Sequence, residues 1–151
     1  MLTRAGTIAL RALVELSRQP DAVISGPELA RRQGLPEARL EQVLLQLRAA
    51  SVVEARRGRS GGYRLSSKPD QVPLARVLDA VGGRRSSLMP SDRHGCDDAT
   101  ALAGDQLERQ LLLRLERALD RELGQLTLAE LLYDQRSWEA SLDPEGGLML
   151  G

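Results

Sequence analysis

The stretch that decides the fold runs from Ser25 to Leu65 and reads SGPELARRQGLPEARLEQVLLQLRAASVVEARRGRSGGYRL. Its first residues form a helix start, because Ser25 can accept from unpaired N–H groups and Glu28 stands at capping-box spacing. That helix is short and stops near Gly34. A second helix follows from Pro36 to Ala49, and its apolar residues recur at the spacing of one buried face, at Leu40, Val43, Leu44 and Leu47. Two short helices joined by a tight turn predict a helix-turn-helix.

A β-hairpin follows the two helices. Residues 52–56 alternate as a strand, residues 57–62 form a glycine-rich turn, and residues 63–65 return. Four arginines lie on this small projecting element: Arg56, Arg57, Arg59 and Arg64. A hairpin on its own would be interpreted as an ordinary hairpin with a solvated basic tip. Directly after a helix-turn-helix it predicts a wing, and the two elements together predict binding to double-stranded DNA.

The predicted DNA contacts come from both elements. The helix from Pro36 to Ala49 should lie in the major groove, and the arginines of the wing should reach phosphates or the adjacent minor groove. From the helix we expect contacts by Ala38, Arg39, Glu41 and Gln42. From the wing and the helix start we expect contacts by Arg57, Gly58, Arg59, Ser60, Tyr63 and Ser25.

This stretch also resembles the IscR-type family of bacterial winged-helix transcription regulators. The similarity is carried by residues 32–35 and 40–42, and by Arg57 and Gly58 with residues 61–65. It is close over residues 2–83 and extends to the remainder only as architecture. The resemblance implies a winged helix-turn-helix, a homodimer on a palindromic operator, and a long C-terminal dimerisation helix.

Three further expectations follow from the resemblance. Glu41 would help to choose the DNA sequence by accepting from cytosine amino groups. Arg4 would lie close to the DNA backbone, although an exposed arginine without a partner is the alternative interpretation. Several members hold an iron–sulfur cluster with three cysteines in the loop before the long helix. This chain departs there, because it has one cysteine.

Composition predicts a mainly α-helical protein outside the membrane. Among 151 residues there are two tyrosines, one tryptophan and no phenylalanine, so leucine, alanine and valine must form the core. No apolar run approaches the roughly 20 residues that span a bilayer, and the N-terminus lacks a secretion signal. A single cysteine excludes an intramolecular disulfide. We therefore expect a cytoplasmic protein.

The net charge of zero conceals a division between the two halves. Residues 1–85 hold 15 basic and 8 acidic residues, a charge of 15 − 8 = +7, and residues 86–151 hold 6 and 13, a charge of 6 − 13 = −7. A basic N-terminal half favours phosphate binding, whereas an acidic C-terminal half would be repelled by DNA.

Pattern divides the chain into four parts. Residues 1–83 should form the DNA-binding domain, including helices over residues 2–18 and 72–81. Residues 84–104 lack periodicity and are expected to form a flexible sensor loop. Residues 105–133 should contain a long dimerisation helix to Leu128 and a short helix that Thr127 caps. Residues 134–151 are polar or glycine-rich and are expected to form a frayed tail.

The long helix has too wide an apolar face for one neighbour. Leu107 and Leu111 are expected to face the first helix of their own chain. Leucines at the spacing of a partner seam predict a homodimer through Leu112, Leu115, Leu119 and Leu126. A helix fully buried within a monomer is the alternative.

Cys96 and His94 are the only soft ligands in the chain, and three aspartates surround them. The simplest interpretation is a solvated loop with an inert thiol. One cysteine cannot reproduce a three-cysteine cluster site, and a zinc site normally takes four ligands. We predict no cofactor. A cluster held by Cys96, His94 and an aspartate, or shared across a dimer, stays open as the alternative.

The sequence favours one function class over two others. The pattern fits a transcriptional repressor best. Its activity would respond to a metabolite, to a redox or iron–sulfur signal, or to a partner protein. A winged helix used only for protein–protein contact is the alternative. An enzyme is not expected, because the chain has no glycine-rich phosphate loop and no nucleophile–base pair.

Overall fold

The structure is a computed structural model that describes residues 2–83 and 99–142. In these ranges the elements follow in the order α1 (Arg4–Arg18), α2 (Gly26–Gln33), α3 (Glu37–Ala49), β1 (Val53–Arg56), β2 (Gly62–Leu65), α4 (Leu74–Ala80), α5 (Ala99–Gln125) and α6 (Leu128–Leu142). A short 3-10 turn at Pro69–Gln71 precedes α4. The predicted fold class, mainly helical with one small hairpin after a helix-turn-helix, is confirmed.

The residues that cap the two ends of α2 position the first helix and the turn of the helix-turn-helix. The Glu28 N–H donates to Ser25 Oγ over 3.3 Å, which starts α2. Gly34 ends α2 in the left-handed region, with φ of 59°, a conformation that costs other residues free energy. The Leu35 N–H then donates to the Ala30 carbonyl over 2.9 Å. The chain thereby turns within three residues, 34–36, and enters α3.

The hairpin is an antiparallel pair in which Val53 faces Leu65 and Arg56 faces Gly62. A third segment lies beside it, because Ile24 and Tyr63 exchange backbone hydrogen bonds of 2.9 and 2.8 Å. A Cβ atom on Gly62 would overlap the Ile24 carbonyl, so glycine is needed for this close approach. The base of the wing is therefore fixed to Ile24, two residues before α2 begins.

The core lies between α1, α3, the hairpin and α4, and the start of α6 closes it. Its largest fully buried side chains are Leu13, Leu16, Leu29, Leu40, Leu44, Leu47, Leu78, Leu128, Val52, Val53, Val72 and Val77. Leu40, Val43, Leu44 and Leu47 make the buried face of α3, as their spacing predicts. This packing holds the opposite face of α3 towards solvent.

Two contacts complete the N-terminal part. The Thr3 N–H donates to the Gly83 carbonyl over 2.8 Å, which joins the beginning and the end of residues 2–83. Arg76 on α4 donates to the carbonyls of Ala50 and Ser51 over 3.1 and 3.3 Å. Since these carbonyls lie at the C-terminal end of α3, α4 holds that end in place.

The C-terminal helices differ from the prediction. α5 begins at Ala99 and not at Asp105, so residues 99–104 are helical and not part of a loop. α6 extends to Leu142, so residues 134–142 do not belong to a frayed tail. The reason is that α6 packs along α1, where Arg18 forms an ion pair with Glu139. At the start of α6 the Thr127 N–H donates to Glu130 Oε2 over 2.7 Å, in the manner of a capping box.

One prediction for α5 is wrong, and another residue of its predicted seam lies outside the helix. Leu107 and Leu111 do not pack on α1 but are exposed. Leu126 lies beyond the end of α5 and packs against the core of its own chain, where its carbonyl accepts from the Leu74 N–H over 2.8 Å. Leu126 is therefore partly covered within its own chain, and its contact with a partner stays a prediction.

Cys96, His94 and the rest of residues 84–98 lie outside the described residues. No helix in the described part of the chain is long and apolar enough to cross a bilayer.

Candidate DNA-binding surface

The outward face of α3 is a row of exposed side chains opposite the core. Ala38, Gln42, Leu45 and Ala49 follow one another at i, i+4, i+7 and i+11 and are all exposed. Leu45 is 55% exposed, although the other leucines of α3 are buried: Leu40, Leu44 and Leu47. The sequence pattern does not single out Leu45, because it lies in a leucine-rich run. Only its position around the helix axis distinguishes it from the buried leucines of that run.

The flanks of α3 carry charge. Arg39 and Arg48 are exposed, and neither forms an ion pair with another described residue. Gln42 offers an amide that can read adenine, and an unpaired arginine can read guanine or hold a phosphate. Ala38, Arg39 and Gln42 are thus exposed on α3, and their contact with DNA bases stays a prediction.

Glu41 has a different environment from the neighbouring positions. Its carboxylate Oε2 accepts from the Tyr63 hydroxyl over 3.3 Å, and Oε1 occupies the space that a Cβ atom on Gly26 would take. The side chain therefore lies between β2 and the first residue of α2. Without DNA it is not directed freely into solvent as the neighbouring side chains of α3 are.

Tyr63 is half-buried where the wing meets the helices. Burial is the main cause that raises the pKa of its hydroxyl, and the negative charge of Glu41 raises this pKa further, against an opposite effect of Arg48. Tyr63 thus joins the wing to α3 through a side chain, in addition to its backbone pairing with Ile24.

The tip of the wing is basic and unpaired. Arg56, Arg57 and Arg59 are exposed and make no ion pair within the described ranges. Arg64, which was expected to add a fourth positive charge, instead pairs with Glu54 across the hairpin at 2.9 Å. The wing therefore offers three free arginines rather than four.

The turn residues Gly58 and Ser60 are exposed at this tip. Gly58 has φ of 113°, and its carbonyl accepts from the Gly61 N–H over 3.0 Å, which closes the turn. This turn holds the neighbouring side chains of Arg57 and Arg59 on the projecting end of the hairpin. Backbone groups of such a tip can themselves approach a phosphate.

The acidic residue in the first turn of α2 forms ion pairs within its own helix. Glu28 forms ion pairs of 2.7 Å with both Arg31 and Arg32, and these hydrogen bonds lower the pKa of its carboxyl to about 2. Glu28 therefore does not reach back to the Ser25 N–H as a full capping box would. The Ser25 hydroxyl already accepts a hydrogen bond from the Glu28 N–H as the N-cap of α2. Arg4 lies exposed in the first turn of α1 without an ion-pair partner in the described residues.

A buried carboxylate connects the helices behind this surface. Glu15 on α1 is buried, and it pairs with Arg18 at 3.2 Å and with Arg32 of α2 at 3.3 Å. Gln33 donates to the same carboxylate over 2.9 Å. Because Arg18 also pairs with Glu139, ionic contacts run from α2 through α1 to α6.

The predicted seam residues on α5 are accessible. Leu115 and Leu119 are 43% and 53% exposed, and Leu112 is half-buried. Within its own chain α5 packs mainly against α4. A long helix with this much uncovered leucine is typical of a surface that another protein chain covers.

The donor set does not fit a cluster of the kind the resemblance implies. Such a cluster takes its iron ligands mainly from cysteine thiolates, and the chain has one cysteine and one histidine. We therefore attribute no step to an iron–sulfur group.

Comparison with known proteins identifies a family of transcriptional regulators. A family model described as "Rrf2: Iron-dependent Transcriptional regulator" matches residues 2–134. A protein of Synechocystis sp. that carries the name of an HTH-type transcriptional regulator, slr0846, is 38% identical over 93% of this chain and 92% of its own length. The HTH-type transcriptional regulator IscR of Aliivibrio salmonicida is 30% identical over 93% of this chain and 82% of its own.

Solved structures share the fold. CymR, the global cysteine regulator of B. subtilis, superposes with a TM-score of 0.70 at 27% identity and covers 88% of this chain and 96% of its own. IscR of T. potens superposes with a TM-score of 0.71 over 92% of this chain and 90% of its own, and at 23% identity it supports the fold alone. The Synechocystis and Aliivibrio relatives are named as HTH-type transcriptional regulators and not as enzymes. The chain belongs to the Rrf2 family of transcriptional regulators.

Proposed function

We propose that the protein is a sequence-specific repressor that binds a palindromic operator as a homodimer, with α3 in the major groove of each half-site. The observation that carries this proposal is the distribution of unpaired charge. The arginines on the flanks of α3 and at the tip of the wing are exposed without ion-pair partners among the described residues, whereas Arg31, Arg32 and Arg64 are neutralised by glutamates. Unpaired positive charge on adjoining elements is what binding to phosphates requires.

The base-reading part of the surface is the outward row of α3. Gln42 can bond to adenine, Arg39 to guanine, and the exposed Leu45 can contact a thymine methyl group. Arg57 and Arg59 would hold phosphates or enter a narrow minor groove beside it.

The homodimer is supported by the uncovered leucines of α5. Two recognition helices must stand about 34 Å apart to read successive major grooves on one face of DNA. α5 is the longest described helix, and it presents Leu115 and Leu119 to solvent. A partner α5 packed on this face would bury those leucines and fix the spacing.

We infer that the signal is a metabolite or a partner protein, because one cysteine does not fit a three-thiolate cluster. A sulfur metabolite is the class we favour, since a neighbour of similar fold is named for cysteine regulation. Such a regulator would act in the cytoplasm, where bacterial DNA lies. The alternative function is a winged helix that contacts only proteins.

The dependence of DNA affinity on salt tests DNA binding against that alternative. On random duplex DNA, the logarithm of affinity should fall steeply and linearly with the logarithm of salt concentration. Replacing Arg57 and Arg59 together by alanine should weaken binding to all sequences alike and reduce the slope by about two. The control is Arg136→Ala on α6, which should leave both unchanged.

Two results would contradict the proposal. Negligible affinity at low salt would favour a protein-binding module. If instead the double variant lost discrimination at only one base pair, the wing would read bases and would not simply hold the backbone.

A further inference from the structure

The carboxylate of Glu41 is held where three elements meet. Tyr63 on β2 donates to it over 3.3 Å, Gly26 at the start of α2 leaves the space that its second oxygen occupies, and Glu41 itself belongs to α3. Tyr63 is in turn fixed by paired backbone hydrogen bonds of 2.8 and 2.9 Å to Ile24. The position of this carboxylate therefore depends on residues outside the recognition helix.

We propose that Tyr63 is a positioning residue for Glu41, and that its hydroxyl fixes the carboxylate at the edge of α3 so that the base preference of Glu41 depends on Tyr63. The inference rests on the proposed DNA-binding function. It assigns to Tyr63 a role through Glu41 instead of the direct DNA contact that the sequence predicted.

The physical reason lies in the freedom of a glutamate side chain. An unrestrained glutamate loses rotamer entropy when it meets a base, and it can also turn towards phosphates and repel them. A carboxylate that already accepts from Tyr63 presents its remaining lone pairs in one place. A cytosine amino group brought to that place finds an acceptor, whereas a base with an acceptor there is disfavoured.

A double-mutant cycle on base preference tests this dependence. The wild type, Tyr63→Phe, Glu41→Ala and the double variant would each select sequences from a random duplex pool. Tyr63→Phe should change preference at the base pair that Glu41→Ala also affects, by about tenfold, the lower end of the value of a hydrogen bond to a charged group. In the Glu41→Ala background, Tyr63→Phe should then change nothing. Tyr133→Phe is the matched control, because Tyr133 is 74% exposed on α6.

Two outcomes of the cycle would overturn the proposal. An effect of Tyr63→Phe that persists without Glu41 would show that the hydroxyl contacts DNA itself. Unchanged base preference in Tyr63→Phe alone would show that the hydroxyl does not matter for reading.

Gly26→Ala provides a second variant that leaves Tyr63 intact. The added Cβ would overlap Oε1 of Glu41 and displace the carboxylate, and alanine suits a helix at least as well as glycine. This variant should shift base preference as Tyr63→Phe does. A folded Gly26→Ala protein with wild-type preference would contradict the proposed location of the carboxylate.

A titration without DNA separates this inference from the proposed function. The chain has two tyrosines, so Tyr63 is the only one left in Tyr133→Phe, and ultraviolet absorbance reports its ionisation. Adding Glu41→Gln should lower the pKa of Tyr63, since the charge of Glu41 raises it while burial is unchanged. An unchanged pKa overturns the contact. A wild type that selects no sequence overturns the proposed function, and the titration then decides whether the Tyr63–Glu41 contact stands.

Discussion

At the scale of residues, pairing separates the arginines of this protein into two groups. Arg31 and Arg32 share the carboxylate of Glu28, and Arg64 pairs with Glu54, so the charges of these side chains are paired within the chain. Arg57 and Arg59 have no such partner in the described residues and are available to a ligand. Counting basic residues along the sequence cannot make this distinction, because each pairing depends on the position of a particular carboxylate.

Glu28 predicts a dependence of stability on pH. Hydrogen bonds from Arg31 and Arg32 lower the pKa of its carboxyl from 4.5 to about 2 in the folded protein. The unfolded chain therefore binds more protons between these values, and the free energy of unfolding should rise with pH there. The contribution is fully present above about pH 4.5 and is lost as pH falls through about 2.

The variant Glu28→Gln isolates this contribution. Urea unfolding at several pH values should show the wild type more stable than the variant at neutral pH, with the difference shrinking towards pH 2. The effect should be small, since the ion pairs are exposed to solvent. A difference that does not change with acidification would mean that the arginines do not lower this pKa in solution.

The sequence predicts the composition of the surface better than the orientation of its side chains. The spacing of apolar residues identifies the solvent face of α3 and so points to Ala38, Arg39 and Gln42. It cannot predict that Glu41 meets Tyr63, since this partner is 22 residues away on a strand. It also does not distinguish the exposed Leu45 from buried leucines in the same run.

At the scale of elements, the sequence predicts a helix correctly when residues close to its ends determine where it begins and stops. Ser25 and Gly34 begin and end α2 within a few residues, and both are visible in the sequence. α6 continues through a polar segment because α1 packs beside it and Arg18 pairs with Glu139, 121 residues away. The early start of α5 lies in the segment ATALAG, where three alanines and a leucine favour a helix but Thr100 and Gly104 do not, and where apolar periodicity is absent.

Replacing either of two glycines by alanine should change the free energy of unfolding, in opposite directions. Gly34 has φ of 59° in the turn of the helix-turn-helix, so Gly34→Ala should lower the free energy of unfolding by about 1–2 kcal/mol. Gly124 lies within α5 and nothing is near its Cβ position, so Gly124→Ala should raise it by up to about 1 kcal/mol. Chemical denaturation at constant protein concentration measures both. Stabilisation by Gly34→Ala would contradict the left-handed turn.

At the scale of the whole molecule, the two halves differ in charge and in exposed apolar surface. The N-terminal half carries the unpaired arginines, and α5 in the acidic half carries the uncovered leucines. Ionic contacts through Glu15 and Arg18 connect α2 to α6, so the candidate DNA-binding surface and the C-terminal helices are parts of one packed unit. This division suits a protein that binds DNA with one half and its own copy with the other.

The homodimer is tested by placing a charge in the proposed seam. Leu115→Asp or Leu119→Asp would bury a carboxylate between two copies of α5 at a cost of several kcal/mol, which is enough to dissociate a typical dimer. Both leucines are exposed within a single chain, so the folded monomer should tolerate the change. Sedimentation should show a folded monomer, and its affinity for the operator should fall strongly although α3 and the wing are unaltered, because two half-sites are no longer bound together.

The matched control is Leu142→Asp, which places the same charge at an exposed leucine of α6. It should remain dimeric and bind DNA like the wild type, which separates the seam from a general effect of removing surface leucine. If Leu115→Asp and Leu119→Asp both stay dimeric and bind normally, the partner contact lies on another face. In that case, the exposed leucines of α5 must be covered by something other than a second α5.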